Sequence, residues 1–265
     1  MTSWIAVYVG LALLAPLFAW LERRKPASPI ERTSRARRVD LAYWFVTPVL
    51  TGSFSRLLTL GVVAAVGFAA GFGTDGPRFL AHVEASRPFA RLSWPLAFAI
   101  ALVLADLLGY VSHRLRHTRF LWRMHAVHHG AEELTALAAA RLHPIDETFD
   151  GIFIGVPLLL LGVPLSIVAA LGPFFILHTL LLHANVTWGF GPLGRVLASP
   201  RFHRRHHARD LPAANFAGVL AFYDVLFGTF DMPAGDPAPC GVAARDVPAT
   251  LLGQMLYPVR ARARS

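Results

Sequence analysis

The stretch from Leu92 to His129, LSWPLAFAIALVLADLLGYVSHRLRHTRFLWRMHAVHH, decides the fold. Its first part, 92–112, carries one charge, Asp106, and is long enough to cross about 30 Å of hydrocarbon as a helix. Its second part delivers five histidines just beyond that run: His113, His117, His125, His128 and His129. Further on, His203-Arg204-Arg205-His206-His207 repeats the HxxHH spacing, and His183 closes an apolar stretch over 149–183. Imidazole is the commonest protein metal ligand, and rings three or four residues apart leave one face of a helix together. Nine of the 12 histidines therefore sit at ligand spacings beside membrane-length runs.

Composition agrees with the opening stretch. Of 265 residues, 55% are hydrophobic and only 15% charged, which places the chain among integral membrane proteins. The net charge of +9 comes almost wholly from arginine, Lys25 being the sole lysine. Those arginines flank apolar runs, as the positive-inside rule places them, so the basic balance does not imply nucleic-acid binding. A single cysteine, Cys240, excludes a disulfide framework and any cysteine-based zinc or iron–sulfur site.

Residues 4–21 are apolar and carry their positive charge after the run, at Arg23, Arg24 and Lys25. A cleaved leader carries it before, so this segment reads as an uncleaved anchor entering from outside. The polar stretch 22–40, with Arg32, Arg35, Arg37 and Arg38, is then cytoplasmic. Residues 41–72 are apolar but hold Pro48, Gly52 and Arg56, which suits either one long, tilted or broken helix or an interfacial piece followed by a span from about Leu57, with the arginine snorkelling or facing protein. The composition of 73–91 is that of an outer loop. The run 149–183, interrupted at Gly162-Val163-Pro164 and Gly172-Pro173, is too long for one crossing and reads as a helical hairpin that dips in and returns. This count puts the nine histidines and the 22–40 arginines on one face. The resulting fold class is all-α integral membrane, with about four to five transmembrane or re-entrant helices and a cytoplasmic histidine-rich helical cap holding a dimetal site.

So many neutral nitrogen donors can hold two ions, whereas tetrahedral zinc would use about half of them. Redox-active iron suits imidazole, and zinc can occupy the same ligands on purification. Ligand rings need partners that orient them. Asp106 and Tyr110 lie on the face of the helix that delivers His113, and Asp146, Glu147, Asp210 and Asp224 are further carboxylates that could serve or could be ordinary interfacial charges. His82 reads as a structural histidine. His178, five residues before His183, turns away from it by about 140° on an ideal helix. Gly189-Phe190-Gly191-Pro192-Leu193-Gly194 matches GxGxxG literally, but it follows no strand and contains proline, so it reads as a turn.

From Asp106 to Phe230 these residues resemble the fatty acid hydroxylase/sterol desaturase superfamily of membrane-embedded non-haem di-iron enzymes. The resemblance rests on Asp106, Tyr110, His113-Arg114, His117, His125-Ala126-Val127-His128-His129, Arg141-Leu142-His143-Pro144, His183-Ala184-Asn185, Ser199 to His207, Asn215-Phe216 and Tyr223 to Thr229, in that order. Singly each piece is weak; together they are specific. It implies two iron ions held by His113, His117, His125, His128, His129, His183, His203, His206 and His207. Asp106, Tyr110, His143, Asn185 and Asp224 then fall behind the ligands or toward substrate. The chain departs from the family at Tyr223, where tryptophan is usual, at Asp146, where glutamate is usual, and at Asn215-Phe216-Ala217-Gly218 in place of Asn-Tyr-Gly. These departures leave the ligand set intact and substrate preference open.

The domain plan is a single membrane domain over 1–265: anchor helices and loops over 1–91, a region like the family's catalytic part over 92–236, and a loosely ordered tail over 237–265. The implied activity is O2-dependent hydroxylation of a lipid C–H bond, fatty acyl, sterol or related, in a bacterial inner membrane. A desaturase on the same scaffold is one alternative. A non-enzymatic metal-binding membrane protein is another, which the scarcity of ionisable groups within the spans argues against. No flavin or nicotinamide motif is present, so two electrons must come from a separate donor such as a ferredoxin or a small haem protein. Arg114, Arg116, Arg119, Arg123, Arg204 and Arg205 are candidates to dock an acidic donor, or equally to meet anionic headgroups.

Overall fold

The computed structural model describes residues 4–29, 35–85, 88–233, 235, 238–242 and 247–259. Arg32 and the tail residues 243–246 and 260–265 lie outside them. Among the described residues the chain is helical without a β-strand ladder: α1 (Trp4–Arg24), α2 (Arg35–Val46), α3 (Gly52–Gly67), α4 (Gly76–Ala85), α5 (Trp94–Arg116), α6 (Trp122–His129), α7 (Pro144–Asp150), α8 (Val156–Leu160), α9 (Leu165–His183), α10 (Pro200–His206), α11 (Phe222–Leu226) and α12 (Leu251–Leu256).

Among the described residues, three helices are long and apolar enough to cross a membrane: Arg35–Phe72, Trp94–Arg116 and Leu165–His183. The first is continuous through a π-helical turn at Thr47–Thr51. Pro48 sits in that turn, where a wider winding accommodates the missing N–H and the ring's clash with the preceding turn. Many large apolar side chains on these helices remain exposed, among them Leu57, Leu60, Phe68, Leu96, Ile176 and Leu177. An apolar surface of that kind suits hydrocarbon rather than water.

The hairpin over 149–183 forms as its sequence suggests. Gly162, at φ 71°, supplies the left-handed residue that ends α8, and Pro164 caps α9. Val163 between them is buried in a core made by Leu158, Ile167 and Leu171 against Ala97, Ala101 and Ala105 of α5. Those alanines recur every fourth residue, so one smooth stripe of α5 meets the hairpin closely. On the other side, α7 lies against α3. A Cβ at Gly151 would fall 2.5 Å from Thr59 Oγ1, so only glycine permits that approach. Arg56 is exposed, with its guanidinium 3.4 Å from Ser53 Oγ and near Glu147 of α7.

Two segments differ from their sequence reading. The stretch 73–91 holds α4 and a short 3₁₀ turn at Pro88–Arg91 instead of running as a plain loop. Phe79 and Val83 are buried and Phe72 packs on Phe79, so this amphipathic helix folds back under the end of α3. In the tail, Thr250 caps α12 by accepting from Gly253 N, and buried Gln254 donates to the Pro248 carbonyl. The adjoining Tyr257 carbonyl accepts from Arg123 at 2.8 Å.

Candidate metal centre

All nine histidines named from the sequence converge, in two groups whose ligand atoms lie within 4.8 Å of one another. One group is His113, His117, His125, His129 and His206; the other is His128, His183, His203 and His207. The division cuts across the sequence boxes. On α6, His125 and His129 are one turn apart and face the first group, while His128, turned by 100° from His129, faces the second. On α10 and its cap the pattern inverts: His203 and His207 face the second group and His206 the first. The groups share a wall, with His129 stacked on His207 at 4.3 Å between ring centroids.

The tautomers follow from backbone carbonyls. His113 Nδ1 donates to Phe216 O (2.7 Å), His128 Nδ1 to Arg141 O (3.2 Å), His183 Nδ1 to Thr179 O (2.8 Å) and His206 Nδ1 to Ala214 O (2.7 Å). His125 Nδ1 donates to Asp146 Oδ2 at 3.1 Å. With the proton on Nδ1, each Nε2 presents a lone pair. Two pairs of these nitrogens meet: His113 with His125 at 3.0 Å, and His183 with His128 at 3.2 Å. Lone pairs in such contact repel unless a cation lies between them. Burial also holds the rings neutral, pushing His206 down to about 3 and His117 to about 2. Neutral imidazole is what a metal requires. His117 Nε2 is buried with no hydrogen-bond partner among the described residues, a further atom that a cation would satisfy. Separations of 3.0–3.2 Å are shorter than the roughly 3.4 Å edge of a tetrahedral set bound at about 2.1 Å. Each group is a set of donors that could hold a metal ion.

The residues expected behind the ligands act mostly through backbone. Asp106 accepts from Val219 N (2.8 Å) and Leu220 N (2.6 Å), and Asp224 accepts from Phe216 N and Ala217 N, both at 2.8 Å. Together they fix the 214–221 loop whose carbonyls orient His113 and His206. Tyr110 shares a hydrogen bond with Thr229 and packs on Phe216. Asn185 touches no ligand: it accepts from Arg204 Nη2 (2.6 Å) and Ser28 N (3.1 Å), tying the segment after α1 to α10. His143 Nδ1 accepts from Ile145 N at the start of α7, and its Nε2 donates to Met255 O, so it is in neither group. His178 is outside both as well and turns to the Gly218 backbone.

The arginines divide. Arg116 is buried between Asp146 (3.4 Å) and Asp150 (3.0 Å). Arg204 is held by Asn185 and the Leu134 carbonyl, and Arg205 by Asp231 and the Pro212 carbonyl. These three are used internally, which removes them from any donor-docking surface; Arg114 and Arg119 remain exposed. Arg141 was quoted from the sequence without a role, and its carbonyl orients His128; Trp122 was passed over, and its ring lies 5.1 Å from His117 and 5.2 Å from His129. Box position next to a histidine was the available signal for Arg141; for Trp122 it was nearness to the second box alone.

Asp146→Asn keeps the shape of the His125 partner but removes its charge. Metal retention against a chelator is expected to weaken about 10- to 100-fold, as for other carboxylates behind ligand histidines. An unchanged chelation curve would show that the Asp146–His125 contact does not tune the site.

A cavity of about 330 Å³ opens beside both groups. His113, His125, His128, His183 and His203 form its floor, and Ala105, Gly109, Leu142, Ile154, Phe175 and Leu182 much of its walls. It therefore lies between the α5 face and the α8–α9 hairpin, with apolar walls leading to the imidazoles.

Residues 98–229 match the fatty acid hydroxylase family. The chain is 37% identical over 189 residues to ornithine lipid hydroxylase OlsE of Rhizobium tropici, covering 67% of this chain and 56% of that one. It is 29% identical over 228 residues to alkylglycerol monooxygenase of Danio rerio, covering 84% and 46%. It is 28% identical over 131 residues to very-long-chain aldehyde decarbonylase GL1-11 of Oryza sativa subsp. indica, covering 48% and 49%. The chain thus spans about half the length of the curated relatives it matches. No solved structure matches it.

Proposed function

Because the chain belongs to the fatty acid hydroxylase family, we propose that it is a membrane-embedded di-iron oxygenase that hydroxylates a lipid C–H bond, using O2 and two electrons from a separate donor. The observation that carries this reading is the meeting of nine convergent imidazoles with a largely apolar cavity. His113, His117, His125, His129 and His206 would hold one iron, and His128, His183, His203 and His207 the other. Bound iron supplies the activation of O2 that an unactivated C–H bond requires.

The chain's own contribution is placement. Phe216 lies against His113, His117 and His206 and keeps water from that side of the rings. Phe175, Leu182 and Ile154 give the cavity apolar wall that suits a hydrocarbon chain. The carbonyls of Phe216, Arg141, Thr179 and Ala214 hold the Nδ1 protons, so the rings keep their inward lone pairs throughout turnover. Electrons would enter where a ferredoxin or small haem protein meets Arg119 and Arg123, beside Trp122 and His117 in a surface groove.

The histidine face is proposed to be cytoplasmic in a bacterial inner membrane. Supporting this, the arginine-rich segment after α1 is tied to the histidine side through Ser28–Asn185 and Asp40–Arg141. The positive-inside rule places such a segment in the cytoplasm. The test is lipid mass spectrometry of cells with and without the protein. A lipid gaining 16 mass units supports hydroxylation, whereas a loss of 2 would replace it with desaturation, and no difference would remove the oxygenase reading.

A further inference from the structure

Gly109 stands on the cavity wall where the fold has no need of glycine. It lies inside α5, in ordinary helical backbone, where alanine is the better helix former. Beyond its own helical turn, a Cβ built at Gly109 would meet Ile154 Cδ1 at 3.7 Å, an ordinary contact, and nothing else within 4 Å among the described residues. What lies open around it is the cavity. On α5 the cavity wall is made by Ala105, Gly109 and His113, four residues apart and so on one face. On α9 it is made by Phe175, Thr179 and His183 at the same spacing. Ala105 and Phe175 pack into the core of Ala101, Leu158 and Leu171, so the cavity closes at that end; the imidazoles are at the other. The cavity is therefore a slot between two helices, about 12 Å long at a rise of about 1.5 Å per residue, with Gly109 halfway along it.

We propose that Gly109 is a specificity-determining residue: the hydrocarbon of the substrate occupies this slot, and the space left by the missing side chain, one helical turn short of His113, sets the girth of chain that reaches the metal groups. This rests on the oxygenase reading and adds the residue that limits what the site accepts. A hydrocarbon offers no hydrogen bond by which it can be chosen, so the shape of the wall is what selects among chains. Apolar pockets tell apart differences of one methylene by about 10- to 200-fold. The charged groups on the wall are matched within the protein: Asp106 accepts from Val219 N and Leu220 N, and Arg116 pairs with Asp150 at 3.0 Å. A methyl at position 109 would narrow the slot. A leucine side chain, with Ile154 already in contact at its Cβ, would have the slot alone to enter.

The test is photolabelling of the purified full chain in detergent with hexadecanol carrying a mid-chain diazirine, read by mass spectrometry of the labelled peptides. Label at Ile154 and Phe175 reports the slot, and label at Leu57, exposed on α3, reports the outer surface. Relative to Leu57, slot label should fall from the unmodified chain to Gly109→Ala to Gly109→Leu, by at least about tenfold at leucine, as extra methylenes in a filled space imply. Gly109→Ala should melt no lower than the unmodified chain, because its methyl meets only an ordinary contact. Unchanged slot label in a folded Gly109→Leu variant overturns the proposal, as does a slot that takes no label in the unmodified chain. A Gly109→Ala variant that melts lower with its slot label intact also overturns it, since the glycine would then serve packing. Should the leucine variant not fold, Gly109→Ala decides alone, an unchanged slot signal there counting against the proposal. Failure of the oxygenase reading is separable, because cells would then make no oxidised lipid although slot label keeps this order.

Discussion

Replacing His206 with alanine is expected to lower oxidised lipid by more than about 100-fold while leaving the protein in the membrane. Residues that merely orient a ligand cost 10- to 100-fold, so loss of the ligand itself should cost more. The short helix α10 lies outside the three long apolar helices, so insertion does not depend on it. If the chain holds the two ions proposed, the same substitution should reduce bound metal from two per chain toward one, because His128, His183, His203 and His207 remain. His128→Ala should have the converse effect on the second group. His178→Ala is the control: outside both groups, it should keep both ions. Metal analysis showing full occupancy in His206→Ala would contradict the assignment of that ring.

Arg141→Ala is the substitution expected to destabilise the fold most. Arg141 and Asp40 are each 2% exposed, with Nε donating at 2.8 Å and Nη2 at 2.5 Å to Asp40 Oδ1. Arg141 also donates to the Gly130 carbonyl at the end of α6. Removing the guanidinium leaves a carboxylate buried and unpaired, at a cost of about 3–5 kcal/mol. That corresponds to a fall in melting temperature on the order of 10 °C for a protein of this size. Replacing both partners at once, Arg141→Met with Asp40→Leu, should recover most of the loss, since a buried ion pair is often no better than apolar residues of similar volume. A double variant as unstable as the single one would show that Arg141 acts through Gly130 instead.

The class of the fold was readable because the two strongest signals are local. A run such as 92–112 and a hinge such as Gly162-Val163-Pro164 each report their own conformation. That these histidines come together was readable because spacing within one helix fixes which rings leave together. Their sorting into groups of five and four was not, because it depends on the angle at which α6 meets α10, and no local pattern encodes that angle. The same holds for Asp106 and Asp224. Both were singled out, yet their action passes through the amides of a loop more than 100 residues from Asp106. Arginine was the least legible. Arg114 and Arg116 are two residues apart, but one is exposed and the other sits between two carboxylates contributed by α7.

The crossing of the two boxes bears on how the protein matures. One cage needs residues from His113 to His206 and the other from His128 to His207, so neither is whole until the ribosome has passed the end of α10. The two then reach completion within a single residue of each other. A nascent chain paused in the α8–α9 hairpin would display half-built sets, able to catch stray ions in the wrong number. On the proposed two-iron reading, a complete set of donors for either ion therefore exists only once the chain through His207 has been made.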